Sequence, residues 1–145
     1  MKISTKGRYA LRMMVELATK DENQYTSLKD ISKKQDISLK YLEQITSLLS
    51  KAHMIRSARG ANGGHKLERK PSEYTVGEIL RVTEGDLAPV ACLAGEDVGC
   101  EKIGTCATIE LWQGLEKVIN DYLDGITLED LVNNYYEKGA YEYVI

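Results

Sequence analysis

Residues 25–67 read Tyr25-Thr-Ser-Leu-Lys-Asp-Ile-Ser-Lys-Lys-Gln-Asp-Ile-Ser-Leu-Lys-Tyr-Leu-Glu-Gln-Ile-Thr-Ser-Leu-Leu-Ser-Lys-Ala-His-Met-Ile-Arg-Ser-Ala-Arg-Gly-Ala-Asn-Gly-Gly-His-Lys-Leu67. Ser27 followed by Asp30 is a capping-box pattern, and Leu28 with Ile31 gives one apolar side, so a short helix is predicted to about Gln35. The turn Asp36-Ile37-Ser38 comes next. There Ser38 can cap a second helix, while Ile37 and Leu42 occupy the two positions of a hydrophobic staple that sets the angle between the helices. In that second helix Leu42, Ile45, Leu48, Leu49 and Ala52 recur at three- and four-residue steps and form a core-facing stripe. Lys40, Tyr41, Gln44, Ser47 and Lys51 lie opposite. These are long donors and an amide, the types that reach phosphates and base edges from a major groove.

Met54 to Ser57 then reads as a strand, Gly60 to Gly64 as a tight turn and His65 to Leu67 as a returning strand. Two helices, a short turn and a basic hairpin make a winged helix-turn-helix. The plainer alternative is a helical hairpin whose polar face is merely solvated. Against it stands the wing, which carries Arg56, Arg59, His65 and Lys66, is expected to bury few apolar side chains, and suits an arm on the DNA backbone or minor groove. The candidate DNA-contacting residues are Ser38, Lys40, Tyr41, Gln44, Arg56, Arg59, Gly60 and His65.

Charge divides the chain in the same way. Residues 1–70 hold 15 Lys and Arg against 7 Asp and Glu, a balance of +8, and residues 71–145 hold 4 against 15, a balance of −11. A basic DNA-reading module joined to an acidic module of another purpose has this asymmetry. There is no long apolar run and no signal-peptide block at the start, so the reading is a cytoplasmic chain without a membrane span. Neither His53 nor His65 belongs to a nucleophile motif, which argues against an enzyme.

Before this segment, Ser4 or Thr5 can cap a helix with Ala10, Met13, Met14, Leu17 and Ala18 on its apolar side; Lys2, Lys6, Arg8 and Arg12 lie where they could approach phosphates. After it, Thr75 with Glu78 opens another helix through Ile79, Leu80 and Val82 to a stop at Gly85. From Asp86 to Thr105 periodicity dissolves. The longest periodic helix, about Ala107 to Leu123, carries Ile109, Trp112, Leu115, Ile119 and Tyr122 flanked by Leu111, Val118 and Leu123. That is more apolar surface than one stripe, and a homodimer interface is the expected use. Gly125 ends it, Thr127 with Asp130 caps a short helix through Leu131 and Val132, and the tail from Tyr135 to Ile145 shows no usable period. The predicted fold is therefore mainly α: a winged helix-turn-helix domain over 1–84, a cysteine-bearing loop over 85–106, and a dimerisation helix with its tail over 107–145.

Cys92, Cys100 and Cys106 are separated by seven and five residues within the glycine-broken loop. An odd count argues against a disulfide framework. Thiolates are the soft ligands of iron-sulfur clusters and zinc, but the spacing is not the paired arrangement of most structural zinc sites, so unrelated or redox-active thiols stay open on spacing alone.

The start Met1-Lys-Ile-Ser-Thr-Lys-Gly-Arg-Tyr-Ala-Leu-Arg12, Tyr41-Leu-Glu-Gln44, Arg59-Gly60 with Gly63-Gly64, the three cysteines, Leu111-Trp112, and Gly125-Ile-Thr-Leu-Glu-Asp-Leu131 together resemble the IscR family of winged-helix transcription regulators, over nearly the whole chain. The resemblance implies a homodimer on palindromic promoter DNA. It also implies, as in many members, an iron-sulfur cluster on Cys92, Cys100 and Cys106, a 2Fe-2S cluster ahead of a 4Fe-4S one. The spacing is most similar to the iron-responsive RirA type. The histidine that IscR has three residues after its third cysteine is replaced here by Ile109, and Arg8 stands where the NsrR type uses an acid. The fourth ligand is thus open among Glu96, Asp97, Glu101 and Glu110. Within the same family the start of the chain and its aromatic end closed by Ile145 also look like CymR, a cluster-free repressor of cysteine metabolism that docks on O-acetylserine sulfhydrylase, with Ile145 as the anchor in that reading.

Overall fold

A computed structural model describes residues 2–95 and 101–142 of the 145-residue chain. Helix α1 spans Thr5–Ala18, and the hydroxyl of Ser4 caps it by accepting the Gly7 N–H at 3.2 Å. Helices α2, Leu28–Gln35, and α3, Leu39–Lys51, begin in the same way, with Ser27 accepting from Asp30 N–H and Ser38 from Tyr41 N–H, each at 3.2 Å. Between them Asp36 takes a left-handed conformation at φ 53° and Ile37 turns inward, 3 % exposed, so the turn is held by a buried anchor as the staple pattern predicts.

Strands β1, Ile55–Ala58, and β2, Gly64–Leu67, pair antiparallel, with Ile55 opposite Leu67, Arg56 opposite Lys66 and Ser57 opposite His65. The hairpin is stitched to the strand-like residue Thr26, which exchanges both backbone hydrogen bonds with His65 at 2.8 Å. Gly64 makes this approach possible: its φ is 148°, and a Cβ there would run into the Thr26 backbone. The wing contributes more to the core than its sequence suggests, because Met54 and Ile55 are buried at its root.

Helix α4, Val76–Glu84, is capped by Thr75 and stopped at Gly85. A loop containing short 3-10 turns at Ala91–Leu93 and Ile103–Thr105 leads to α5, Ile109–Asp124, and then α6, Leu128–Glu142. The described residues contain no helix long and apolar enough to cross a membrane.

Ala10, Met13, Met14 and Leu17 of α1 meet Ile31, Ile37, Leu42, Ile45, Leu49, Met54, Ile55, Tyr74, Ile79 and Leu128 in the main core. Each large apolar side chain removed from water there contributes about 1.5–3 kcal/mol. A second cluster, Val76, Leu80 and Leu87, packs against Ile119, Leu123, Ile126 and Leu131, joining α4 to α5 and α6.

Two further expectations are corrected. Ala52 is not on the buried stripe of α3; it is the exposed C-cap, since the helix ends at Lys51 and the chain turns through His53 at φ 57° into β1. The short helix predicted after Gly125 runs on to Glu142. Its start is a reciprocal box, Thr127 N–H to Asp130 Oδ2 at 2.9 Å and Asp130 N–H to Thr127 Oγ1 at 3.1 Å. Leu128 and Val132 bury against the body of the molecule, and Tyr135 lies beside Lys34 of α2. Tertiary contact thus extends a helix whose later turns lack an apolar period.

Candidate nucleic-acid interface and thiol loop

Helix α3 presents Lys40, Gln44, Ser47 and Lys51 to solvent on the side opposite Leu42, Ile45 and Leu49. Tyr41 is half-buried, its ring edge-on to Tyr9 with centroids 5.6 Å apart, so α1 fixes where that phenol points. Ser38 spends an acceptor site on capping and keeps its O–H for an outside partner. At the wing tip Arg59 and Gly60 are exposed, and among the described residues no acid pairs with Arg59.

The other two wing candidates are engaged within the protein. Arg56 donates through Nε to Glu68 at 3.1 Å and closes an ion pair with it through Nη2, which raises the guanidinium pKa and lowers that of the Glu68 carboxyl. His65 is half-buried with Nδ1 2.9 Å from Ser57 Oγ, and burial lowers its pKa, so its imidazole favours the neutral form. Cross-strand register makes both contacts, and short-range spacing does not reveal it.

Arg8 and Arg12 of α1 also have internal tasks. Arg8 donates to Thr5 Oγ1 at 3.0 Å; Arg12 lies over the Tyr9 ring and donates to the side chain and carbonyl of Gln35, tying α1 to the end of α2. Beside it sits Glu16, 2 % exposed, which receives Lys34 at 3.0 Å, Lys20 at 3.4 Å and Gln35 Nε2 at 3.1 Å. The hydrogen bond that Lys34 donates to Glu16 is the main cause of a raised pKa at Lys34. Sequence reasoning passed over Glu16. Its signal was an acid placed between Met13 and Leu17 on an otherwise apolar face.

Arg59→Ala is expected to weaken DNA binding and to lower the slope of log K against log salt by about 0.9 for each phosphate left unneutralised. Titrations at several salt concentrations measure this, and an unchanged slope removes Arg59 from the footprint.

Beyond α4 the loop begins with Leu87 pinned in the second cluster. Cys92 sits half-exposed in the first 3-10 turn. Cys106 follows the second, with Sγ 3.4 Å from Thr108 Oγ1, and hydrogen bonding to Thr108 lowers its pKa. Both are free thiols. Cys100, Glu96 and Asp97 lie outside the described residues, while Glu101 and Glu110 are exposed. Among the described residues no three His, Cys, Asp or Glu side chains gather as a metal site. The donor chemistry nonetheless fits an iron-sulfur group, because both described thiols are free and the one next to α5 is biased toward the thiolate that ligation requires.

The model of the Rrf2 family, described as an iron-dependent transcriptional regulator, matches residues 3–134. The HTH-type transcriptional regulator CymR of Bacillus subtilis is 43% identical over 142 residues, covering 98% of this chain and 96% of its own. IscR of Aliivibrio salmonicida is 39% identical over 132 residues, covering 91% and 77%. Among solved structures, CymR, the global cysteine regulator of B. subtilis, superposes with a TM-score of 0.77 at 42% identity, over 92% of this chain and 98% of that one. IscR of T. potens superposes with a TM-score of 0.76 at 37% identity, over 95% and 90%.

Proposed function

This chain belongs to the Rrf2 family and is a transcriptional regulator rather than an enzyme, and from that premise we propose that it binds palindromic promoter DNA as a homodimer whose affinity is set by an iron-sulfur cluster. The reading rests on where the thiols stand. Cys92 and Cys106, with Cys100 between them in sequence, belong to the segment joining α4, seated on the DNA-reading core, to α5, whose outer face is apolar and exposed.

Cys92, Cys100 and Cys106 would hold the cluster, a 2Fe-2S cluster in the first instance, with Glu101 or Glu110 as described candidates for the fourth ligand. Such a group supplies an iron-dependent, redox-sensitive crosslink among loop residues. The chain's own residues do the rest. Leu87 anchors one end of the loop on α4, and Cys106 stands three residues before α5, so fixing the thiols relative to one another restrains how α5 leaves the core. Ser38, Lys40, Tyr41 and Gln44 would enter the major groove, while Arg59 and Gly60, supported by Arg56 and His65 at the wing, would meet the backbone.

Purification without oxygen, followed by absorption spectroscopy, iron and sulfide analysis and promoter titration, tests the reading. Coloured wild-type protein is expected. The variant with Cys92, Cys100 and Cys106 all changed to Ala should be colourless and differ from wild type by about tenfold or more in promoter affinity, a gap of roughly 1.4 kcal/mol.

A second reading is supported by the length agreement with CymR, which extends over 96% of that relative against 77% for IscR. It is a cluster-free repressor of cysteine and sulfur metabolism, controlled by O-acetylserine sulfhydrylase docking on Ile145, a residue outside the described range. It takes the place of the first if the wild type is colourless and the triple variant binds promoter DNA unchanged.

A further inference from the structure

Between the DNA-reading core and α5 lies a dense polar joint. Arg81 of α4 donates to both carboxylate oxygens of Asp124, through Nη1 to Oδ1 and Nη2 to Oδ2, each at 2.8 Å, and through Nη2 to Asn120 Oδ1 at 2.6 Å. Asn120 is itself held, its Nδ2 donating to the Glu116 carbonyl at 2.9 Å. The guanidinium is thus gripped at two positions one turn apart on α5, and a planar fork on a carboxylate fixes angle as well as distance.

The joint lies directly on Gly77. A Cβ at that position would collide with the Asp124 carboxylate and stand 3.1 Å from Arg81 Nη1. Two further links surround it: Val76 N–H donates to the Ile126 carbonyl at 2.8 Å, and Thr75 forms a bridge with Thr127. Apolar packing of Val76 and Leu80 against Ile119 and Leu123 supplies adhesion, but such packing is not directional. The clasp supplies the direction.

On its other side α4 packs against α1, and Glu84 accepts from Ser4 Oγ at 2.6 Å and from Ser4 N–H at 3.1 Å. An angular change between α4 and α5 therefore carries the helix-turn-helix with it as a body.

We propose that the Arg81 clasp on Asp124 and Asn120 is the positioning joint that sets which separation of two DNA half-sites this regulator accepts. The inference rests on the homodimeric reading above. In a dimer joined through α5, the angle at this joint is doubled by symmetry into the separation and relative rotation of the two α3 helices. One base pair moves a half-site by about 3.4 Å and rotates it by roughly a tenth of a turn, so a rigid joint discriminates spacing and a loose one does not.

The test begins with a duplex selected from random sequence by the wild-type protein, from which a series is made with the half-sites moved one base pair at a time. Wild type is expected to lose about tenfold in affinity for each base pair of displacement. Arg81→Met keeps the apolar stem and removes the fork; it should remain dimeric in sedimentation, bind a single half-site like wild type, and vary by only about threefold across the spacing series. Asp124→Asn, a milder loosening of the same joint, should lie between them, and Gly77→Ala, which wedges the joint, should move the preferred spacing. Exchange of the pair, Arg81→Asp with Asp124→Arg, should restore part of the discrimination. A folded, dimeric Arg81→Met or Asp124→Asn with the wild-type spacing profile overturns the inference alone. A wild type that is monomeric or selects no duplex overturns the functional reading and this inference with it.

Discussion

Val118→Asp is expected to convert the proposed homodimer to a monomer and to lower affinity for a two-half-site operator by about two to four orders of magnitude, the gain that linking two binding events provides. Leu111, Leu115, Val118 and Tyr122 are 60%, 40%, 63% and 68% exposed. At steps of four, three and four residues they share one face of α5, while Ile119 and Leu123 turn toward the second cluster. A bare apolar stripe of this kind on a helix is an association surface. Leaving a carboxylate unpaired inside it costs several kcal/mol for each copy, and a twofold axis places two copies in the same interface. Since Val118 touches solvent in the single chain, the variant should fold like wild type, with an unchanged circular dichroism spectrum. Sedimentation and fluorescence anisotropy on one-site and two-site duplexes measure the outcome. A variant that stays dimeric would place the interface elsewhere than this face.

The parts of this molecule that could be read from sequence are those whose information is local. Ser4, Ser27, Ser38, Thr75 and Thr127 are short hydroxyl side chains just ahead of an apolar period, and all five make the expected bond to a backbone N–H. The exposed residues of α3 and the wing tip were legible for the same reason. What escaped depends on pairings across the chain. Arg81 meets Asp124 at a separation of 43 residues, Ser4 meets Glu84 at 80, and Arg56 finds Glu68 only through the register of the hairpin. The later turns of α6 escaped because Tyr135 and Tyr136 remain exposed and give no period; Tyr135 lies near Lys34, a residue 101 positions earlier. Tyr74 belongs with these. In sequence it is one aromatic before a cap; in the fold it closes the wing.

Tyr74→Phe removes one oxygen and is expected to cost about 2–3 kcal/mol of stability, lowering the melting temperature by on the order of 5–10 °C. The ring is fully buried, and its hydroxyl donates to the Met54 carbonyl at 2.6 Å while accepting from the N–H groups of Arg69 at 2.9 Å and Glu68 at 3.1 Å. Burial raises the phenol pKa, so the group remains a donor through neutral pH. Phe keeps the packing and the face on which the Arg69 guanidinium rests, 4.3 Å from the centroid, so the difference isolates the hydroxyl. The Glu68 N–H retains a second acceptor in the Met54 carbonyl at 3.2 Å; the Arg69 N–H is the group left without its partner. Because Met54 precedes β1 and Glu68 follows β2, the missing bonds all lie at the open end of the hairpin. The wing root should therefore loosen before the core does, with faster amide exchange at Arg69 than at Ile45 or Leu49, and DNA affinity should fall through the arm that carries Arg59. A melting point within about 2 °C of wild type would mean that water replaces the phenol at no net cost, and that the hairpin is held by its ladder, by the Thr26 bridge and by the buried Met54 and Ile55.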